Sequence, residues 1–384
     1  MDNIQKNHRP FTPEWISHPG ETIADFLEEL DWTQVELAER LGFSKKHVSQ
    51  LMNGKVAITS DTAIKLSQVL GSSVQFWLNL EADYQADLAR LRHEQQLKKW
   101  VSWLDELPIK ELRKIGVLSH GRITEKSKPQ LVHEGLEWFG CASPDAWRNC
   151  YQSPQLAINF RQSPSSQLQK KLGAVSAWLR LGEIAAQNEV NEALKPFDRK
   201  KFETAVRECR NLTRNSESQI QTLVKQLCKE AGVIFVFIPA ISGARVSGVA
   251  RWLNAHRPLI QVSLYGKTND KFWFTFFHEA AHILLHGKNI IFVDECHDDQ
   301  DLESKSTEEK EADQWAKNIL IPDNYLDRLK ILRSHSSVIN FADEIGVHPG
   351  IVVGRLQYER IVPMNQLNAL KVSYEFQSDF KKSS

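Results

Sequence analysis

Two histidines and a glutamate form the group of residues with the clearest chemistry in this sequence. His278 and His282 stand four residues apart within the apolar run KFWFTFFHEAAHILLH, residues 271–286. On a helix this spacing puts both imidazoles on one face, where they can bind one metal ion, and leaves Glu279 beside them as a general base. A bare match to the pattern arises by chance in a chain of this length on the order of a few per cent of the time, so the neighbouring residues must decide its meaning.

The pattern predicts a zinc ion, and zinc in a hydrolytic site takes three ligands from the protein and keeps one position for water. His286 extends the apolar run, but along a helix its Cα atom lies about 12 Å from that of His278. We therefore predict that His286 orients another group or favours the helix dipole, and that the third ligand lies elsewhere.

An acidic segment downstream, EEKEADQWAKNILIP at residues 308–322, offers this third ligand. Glu309 and Asp313 are four residues apart, so on a helix Glu309 can bind the metal while Asp313 orients a histidine. Glu308 and Glu311 are alternative ligands, and a solvated acidic helix start is the ordinary interpretation of all three glutamates.

Metal-assisted hydrolysis of an amide bond is the chemistry that this set of residues predicts. Glu279 takes a proton from the attacking water and returns it to the leaving amine. The run PLIQVSLY, residues 258–265, is predicted to be an edge strand that pairs with an extended substrate peptide. Tyr265 and His348 are candidates to stabilise the oxyanion, although both are more often packing or surface residues.

The first hundred residues are predicted to form a bundle of five helices. Two of these helices are short and meet at Gly42; Asp31 or Thr33 caps the first, and Ser44 caps the second, which ends at Gly54. Such a pair is typical of a helix-turn-helix, in which the second helix enters a DNA major groove. A plain helical bundle with a solvated basic face is the alternative.

Composition limits the possible partners. The 384 residues suffice for two or three domains, and Lys plus Arg equal Asp plus Glu at 48 each, so a nucleic-acid surface has to be a local patch. The five cysteines are scattered and form no CxxC pair, which is typical of reduced thiols in a cytoplasm. No apolar run reaches the roughly 18 residues of a membrane span. We expect a soluble cytoplasmic protein with no membrane partner.

Periodicity predicts a mainly α chain with a small α+β C-terminal domain. Residues 1–92 are predicted to form the helix-turn-helix domain, residues 93–230 a helical connector, and residues 231–384 the metal-binding domain. The runs GVIFVFIP and PLIQVSLY are rich in β-branched and aromatic residues between glycine and proline. They predict a small sheet ahead of the histidine helix.

The N-terminal sequence resembles a known class of DNA-binding domains. QVELAERLGFSKKHVSQLMNGK, residues 34–55, is similar to the Cro/phage-repressor type helix-turn-helix, and HPGETIADFLEELDWTQVELA, residues 18–38, resembles HigA-type antitoxins. The resemblance covers residues 18–92 and implies a homodimer on paired half-sites of double-stranded operator DNA. It also implies that Gln34 and Asn53 hold phosphates. The residues that it places on the base-reading face are Ser44, Lys45, Lys46, Ser49 and Gln50.

Residues 230–375 resemble the ImmA/IrrE family of metallopeptidases. Five blocks carry this resemblance in family order: SGVARWL, PLIQVSLY, FWFTFFHEAAHILLHG, EADQWAKNILIP and FADEIGVHPGIVVGRLQ. The resemblance implies a thermolysin-like minimal zinc peptidase domain in which His278, His282 and Glu309 bind Zn²⁺. Ala281 stands where a glycine is common in the family. The last block scans like a helix-turn-helix, yet in this family it packs within the peptidase domain.

Two functions follow from the two resemblances. In the first, the chain is a DNA-binding transcriptional regulator whose C-terminal zinc endopeptidase hydrolyses a protein substrate, either a repressor or a partner. In the second, the chain is a HigA-like antitoxin or autorepressor whose peptidase-like domain acts only as a sensor or as a toxin-binding module.

Overall fold

A computed structural model describes residues 16–151, 166–190, 195–286, 292–295 and 306–380. Contacts divide the chain into two compact units, Met1–Lys99 and Trp100–Ser384, and each unit is described by itself. Both are mainly helical, and the second contains a small sheet. The predicted fold class is therefore confirmed.

The N-terminal unit is a bundle of five helices around one apolar core. Its innermost side chains, Ile23, Leu37, Val48, Leu66 and Trp77, are fully buried. Burial of side chains of this size stabilises a fold by about 1.5–3 kcal/mol each. The helices are α1 (Pro19–Glu29), α2 (Gln34–Leu41), α3 (Lys45–Met52), α4 (Ser60–Leu70) and α5 (Val74–Lys99).

Local signals in the sequence set the ends of the two short helices. Thr33 caps α2, since its hydroxyl accepts from the backbone N–H of Glu36 at 3.2 Å. Asp31 is excluded as the cap because it lies at the end of the preceding turn, with a φ of 54°. Gly42 ends α2 with a φ of 67°, a conformation that glycine adopts without strain, and the Ser44 hydroxyl caps α3.

The C-terminal unit contains one four-stranded sheet. Its strands are β1 (Ile234–Phe237), β2 (Val246–Asn254), β3 (Arg257–Val262) and β4 (Phe292–Glu295), in the spatial order β1-β3-β2-β4. β1 and β3 are parallel, and the other two pairs are antiparallel. The sheet precedes the histidine helix in the chain, except for β4.

The prediction that residues 258–265 form an edge strand is wrong. β3 hydrogen-bonds to β1 on one side and to β2 on the other, so it is central, and among the described residues the edges of the sheet are β1 and β4. Five of its six residues are buried. A strand that is apolar on both faces is typical of the interior of a covered sheet.

Eleven further α-helices within the described residues belong to the C-terminal unit. They are α6 (Ile109–Lys114), α7 (Lys128–Phe139), α8 (Pro144–Tyr151), α9 (Ser166–Val190), α10 (Arg199–Asn211), α11 (Glu217–Glu230), α12 (Asn269–Leu285), α13 (Thr307–Leu320), α14 (Leu326–Leu329), α15 (His335–Ile345) and α16 (Pro349–Tyr358). None of the helices in these ranges is long and apolar enough to span a membrane.

Two helices cover the sheet on opposite faces. Gln261 of β3 donates to the carbonyl of Trp178 in α9 at 2.7 Å, while its neighbour Ile260 packs in the core that contains Phe276 of α12. Because successive side chains of a strand point to opposite faces, α9 and α12 lie on different sides of the sheet. α9, from the predicted connector, is thus part of the unit that holds the histidine helix.

The predicted division of the chain at residues 92 and 230 has no counterpart in these contacts. α5 continues through position 92 to Lys99, and residues 100–230 belong to the same unit as the sheet. The three-domain scheme therefore stays a prediction. The block at residues 341–357 packs through Phe341, Ile345, Val352 and Leu356 into the core of the C-terminal unit, as the family resemblance implies.

Candidate metal centre

Helix α12 carries three of the predicted functional residues into the interior. It is apolar on nearly every side, with Phe272, Phe276 and Ala280 buried. A helix that is apolar all round is buried all round. Its few polar side chains are buried with it, and the exposed fractions of His278, Glu279 and His282 are 1%, 0% and 3%.

Helix α13 brings the predicted third ligand to the two histidines. Ser306 caps this helix by accepting from the backbone N–H of Glu309 at 3.3 Å, which fixes Glu309 in the first turn. Oε2 of Glu309 lies 3.2 Å from Nε2 of His278, and Oε1 of Glu309 lies 3.5 Å from Nε2 of His282. The two Nε2 atoms are 3.0 Å apart. The structure therefore gathers three ligand atoms within 4.8 Å of one another.

Asp313 sets the tautomer of His278. Its Oδ1 lies 3.0 Å from Nδ1 of His278, and because a carboxylate can only accept, this contact favours the tautomer with the proton on Nδ1. In a neutral imidazole the other nitrogen is then the acceptor. Nε2 of His278 accordingly presents its lone pair towards Glu309, as a metal ligand must.

His286 sets the tautomer of His282, and Glu311 in turn sets the tautomer of His286. Nε2 of His286 lies 3.1 Å from Oε2 of Glu311, and Nδ1 of His286 lies 2.9 Å from Nδ1 of His282. Nε2 of His286 donates to the carboxylate, so Nδ1 of His286 accepts from Nδ1–H of His282. His286 thus contacts a ligand and is not one of the three converging residues, and its orienting role stays a prediction that this geometry supports.

The electrostatics keep His282 neutral. Burial lowers the pKa of His282 far below its ordinary value, and the neighbouring His278 and His286 lower it further. A neutral imidazole is the form that binds a metal ion. The low pKa thus keeps the ring ready to act as a ligand at neutral pH.

The donor set fits a zinc ion. Two lone-pair nitrogens 3.0 Å apart and facing a carboxylate repel one another unless a cation lies between them. Tetrahedral zinc with bonds of about 2.0–2.1 Å places its ligand atoms about 3.3 Å apart. The two Nε2 atoms are 3.0 Å apart, and Oε2 of Glu309 lies 3.2 Å from Nε2 of His278, which is close to that value. Two histidines and one glutamate leave a fourth position for water.

Gly248 is a residue of the site that the sequence did not reveal. It lies in β2, and a Cβ atom built there would stand 2.6 Å from Oε1 of Glu279 and 2.7 Å from Cγ2 of Thr275. The missing side chain lets the strand lie directly against the carboxylate. The block SGVARWL contained this glycine, but spacing alone gives no sign of what it faces.

The alternative ligands lie outside the cluster. Glu311 contacts His286 instead. Glu308 is absent from the group of converging ligand atoms. Hydrogen bonds from the Glu308 backbone and from Ser306 lower the pKa of the Glu308 carboxyl. The assignment of the metal to Glu309 stays a prediction, supported by this geometry.

The two candidate oxyanion stabilisers, His348 and Tyr265, lie in surroundings different from those of the metal ligands. Nδ1 of His348 accepts from Nδ2 of Asn269 at 2.8 Å and from the backbone N–H of Gly350 at 3.0 Å, so His348 caps α16 and ties it to the start of α12. Burial, and then the charge of Arg214, lowers the pKa of His348. Tyr265 is 39% exposed.

The predicted DNA-contacting residues lie on the surface of the N-terminal unit. Positions 45, 46, 49, 50 and 53 share one side of α3, and Gln34 is the first residue of α2. All of these side chains are exposed except Gln50, which is half-buried. Asn53 ends α3 and donates from Nδ2 to the carbonyl of Ser49 at 2.7 Å. Their roles on DNA stay predictions.

Comparisons with known proteins match each unit separately. A helix-turn-helix family model matches residues 23–77, and the IrrE N-terminal-like domain model matches residues 228–357. The HTH-type transcriptional regulator YddM of Escherichia coli (strain K12) is 42% identical over 81 residues, which are 19% of this chain and 86% of that protein. The chain belongs to the helix-turn-helix family of transcriptional regulators.

Two antitoxin-type proteins are also similar to the N-terminal unit. Antitoxin HigA-1 of Vibrio cholerae is 38% identical over 80 residues, or 21% of this chain and 75% of that protein. The structure of an addiction module antidote protein of a HigA family from Coxiella burnetii is 34% identical, covers 22% of this chain and 91% of that chain, and has a TM-score of 0.21. This helix-turn-helix regulator thus joins a HigA-like DNA-binding unit to an IrrE N-terminal-like domain.

Proposed function

We propose that this regulator carries a zinc-dependent endopeptidase in its C-terminal unit and hydrolyses a protein substrate, either a repressor or a partner protein. The observation that carries the proposal is the convergence of His278, His282 and Glu309 beside the buried carboxylate of Glu279. The match of residues 228–357 to the IrrE N-terminal-like domain supports it. We further propose that the N-terminal unit binds operator DNA as a homodimer.

The side chains of the centre divide the chemistry among them. His278, His282 and Glu309 would hold a zinc ion, which would supply Lewis-acid polarisation of a carbonyl and lower the pKa of a water molecule. Glu279 accepts a proton from the attacking water and then donates it to the leaving amine. Asp313 and His286 favour the tautomers of the two histidines that bind metal, and Gly248 leaves room for the Glu279 carboxylate beside β2.

We propose that the substrate peptide pairs with β4, and not with β3 as the sequence had suggested. β4 is an edge of the sheet, and edge strands accept an extended peptide through backbone hydrogen bonds. Asp294 of β4 is paired with Gly248 of β2, which lies against Glu279. An added strand would run about 4.8 Å from β4, two strand spacings from Gly248 and the general base beside it.

A second function is favoured by the similarity to Antitoxin HigA-1. In this function the chain is an antitoxin or autorepressor that binds its operator and a toxin partner. The peptidase-like domain then acts as a sensor or as a toxin-binding module and holds zinc without hydrolysing anything.

Cleavage assays with one variant distinguish the two functions. Purified full-length protein is incubated with the proteins encoded beside it and with cellular repressors, as wild type, as Glu279→Gln and as the matched control Glu308→Gln. Loss of a general base lowers a rate by about 10²–10⁴-fold, so we expect cleavage by wild type and Glu308→Gln but not by Glu279→Gln. Bound zinc without cleavage by wild type, together with normal repression by Glu279→Gln, would instead establish the second function.

A further inference from the structure

A cavity separate from the metal centre lies among the helices of the C-terminal unit. Its volume is about 130 Å³, and it is lined by residues of α12, α13 and α16, none of which is a predicted metal ligand. An engineered cavity of about 150 Å³ in another protein holds a benzene molecule. This cavity, which we call the α12–α16 cavity, is nearly that large, so a short alkyl chain or a single aromatic ring is the size of group that it matches.

Four apolar residues line the α12–α16 cavity. Phe274 of α12, Leu320 and Ile321 at the end of α13, and Ile351 of α16 line it. Pockets with a mainly apolar lining and a few placed polar groups are typical sites for small molecules.

Three cationic side chains line the cavity, Lys271, Lys317 and Arg355, together with one acid, Asp270. The Oδ2 atom of Asp270 is held by Nζ of Lys371 at 2.6 Å, and Arg355 is paired with Glu359 at 2.7 Å. The charges of Lys271 and Lys317 remain in excess, so the cavity favours a ligand that carries a negative charge.

Arg355 supplies the second observation that points to a ligand. Its side chain is only 10% exposed. Nε donates to Oε1 of Glu359 at 2.7 Å, whereas Nη1 is buried and has no hydrogen-bond partner among the described residues. A buried guanidinium donor without an acceptor is costly, and a planar carboxylate is the acceptor that fits it best.

We propose that the α12–α16 cavity binds a small amphipathic carboxylate, with its apolar body against Phe274, Leu320 and Ile351 and its carboxylate on Arg355. The positive charges of Lys271 and Lys317 add attraction for the carboxylate of the ligand. The ligand is a free small molecule, and its binding does not depend on whether the metal centre hydrolyses peptides.

Calorimetric titration of the full-length protein with phenylacetate tests this proposal. We expect one phenylacetate per chain, and binding at least about tenfold weaker for the uncharged isostere phenylacetamide, because a hydrogen bond to a charged group is lost. The titration is repeated after treatment with a chelator, since a carboxylate can also bind zinc. Binding that disappears with the chelator would overturn the proposal.

Two variants and a control locate the bound carboxylate. Arg355→Gln is expected to weaken phenylacetate binding about tenfold, and the exposed Lys271→Gln by about two- to fivefold. Lys330→Gln, an exposed lysine outside the cavity, is expected to leave the affinity unchanged. If Arg355→Gln fails to fold, the phenylacetate affinity of Lys271→Gln becomes the decisive measurement. Equal affinity in the decisive variant and wild type, or binding of peptides but not of phenylacetate, would show the proposal to be wrong.

Discussion

At the scale of single residues, the metal centre depends on which nitrogen of each imidazole carries the proton. Oδ1 of Asp313 lies 3.0 Å from Nδ1 of His278 and favours a proton there. Nδ1 of His286 accepts from Nδ1 of His282, because Glu311 accepts from the other nitrogen of His286. Both Nε2 atoms therefore turn their lone pairs to the same point. Carboxylates and histidines behind the ligands are as much a part of the centre as the ligands themselves.

Removal of the Asp313 carboxylate tests this account of the tautomers. Asp313→Ala frees the His278 ring to rotate and to protonate Nε2, so we expect zinc affinity to fall by about 10–100-fold. Asp313→Asn is expected to lose less, because its amide oxygen can still accept from Nδ1 of His278. Competition with a chromogenic chelator measures both affinities, and equal values for wild type and Asp313→Ala would contradict the account.

Gly248 gives a second prediction at this scale. In Gly248→Ala the new Cβ atom meets the Glu279 carboxylate at 2.6 Å, so the carboxylate has to shift away from its position. We expect the variant to bind zinc normally, to hydrolyse its substrate much more slowly, and to lose about 1–3 kcal/mol of stability from overpacking. Unchanged kcat in a zinc-loaded variant would show that the close approach of β2 is irrelevant to catalysis.

At the scale of elements, α2 and α3 form a unit whose ends are set by local sequence. The Thr33 and Ser44 caps and the glycine at position 42 fix where each helix begins and ends. The polar side of α3 is left exposed, with Lys45 and Lys46 in its first turn. In a helix-turn-helix, the first turn of the recognition helix is the part that contacts base edges.

Replacement of two side chains on this side of α3 is expected to abolish operator binding. Lys45→Ala with Gln50→Ala removes a phosphate or base contact and a base-reading amide while leaving the buried face of α3 unchanged. The same residue types at exposed positions of α5, Gln95→Ala with Lys98→Ala, form the matched control. Retardation of promoter DNA measures binding, and an unchanged shift in a folded double variant would rule out α3 as the recognition helix.

The elements also show what the sequence could and could not predict. The helices of the N-terminal unit were predictable because caps and glycines act within four residues of the helix ends. Strand order was not, since β3 pairs with β1 from an earlier segment and β2 pairs with β4 from a later one. The edge strand was therefore misplaced on β3, and the contact between Gly248 and Glu279 was missed. Register and order arise from packing between distant segments.

At the scale of the whole molecule, two units with different chemistry share one chain. The balance of 48 basic and 48 acidic residues gives no general attraction for DNA, so operator binding rests on the local surface of the N-terminal unit. The metal centre and the α12–α16 cavity both lie in the C-terminal unit. A regulator of this kind can bind DNA through one unit and respond to a protein or a small molecule through the other.

The zinc content of the full-length protein tests the central claim most directly. The measurement is elemental analysis of wild type, Glu309→Gln and the matched control Glu308→Gln, a neighbouring acid on the same turn of α13. The convergence of Glu309 with His278 and His282 predicts one zinc per chain in wild type and in Glu308→Gln, and loss of most of it in Glu309→Gln. Equal zinc in all three proteins, or loss only in Glu308→Gln, would contradict the claim.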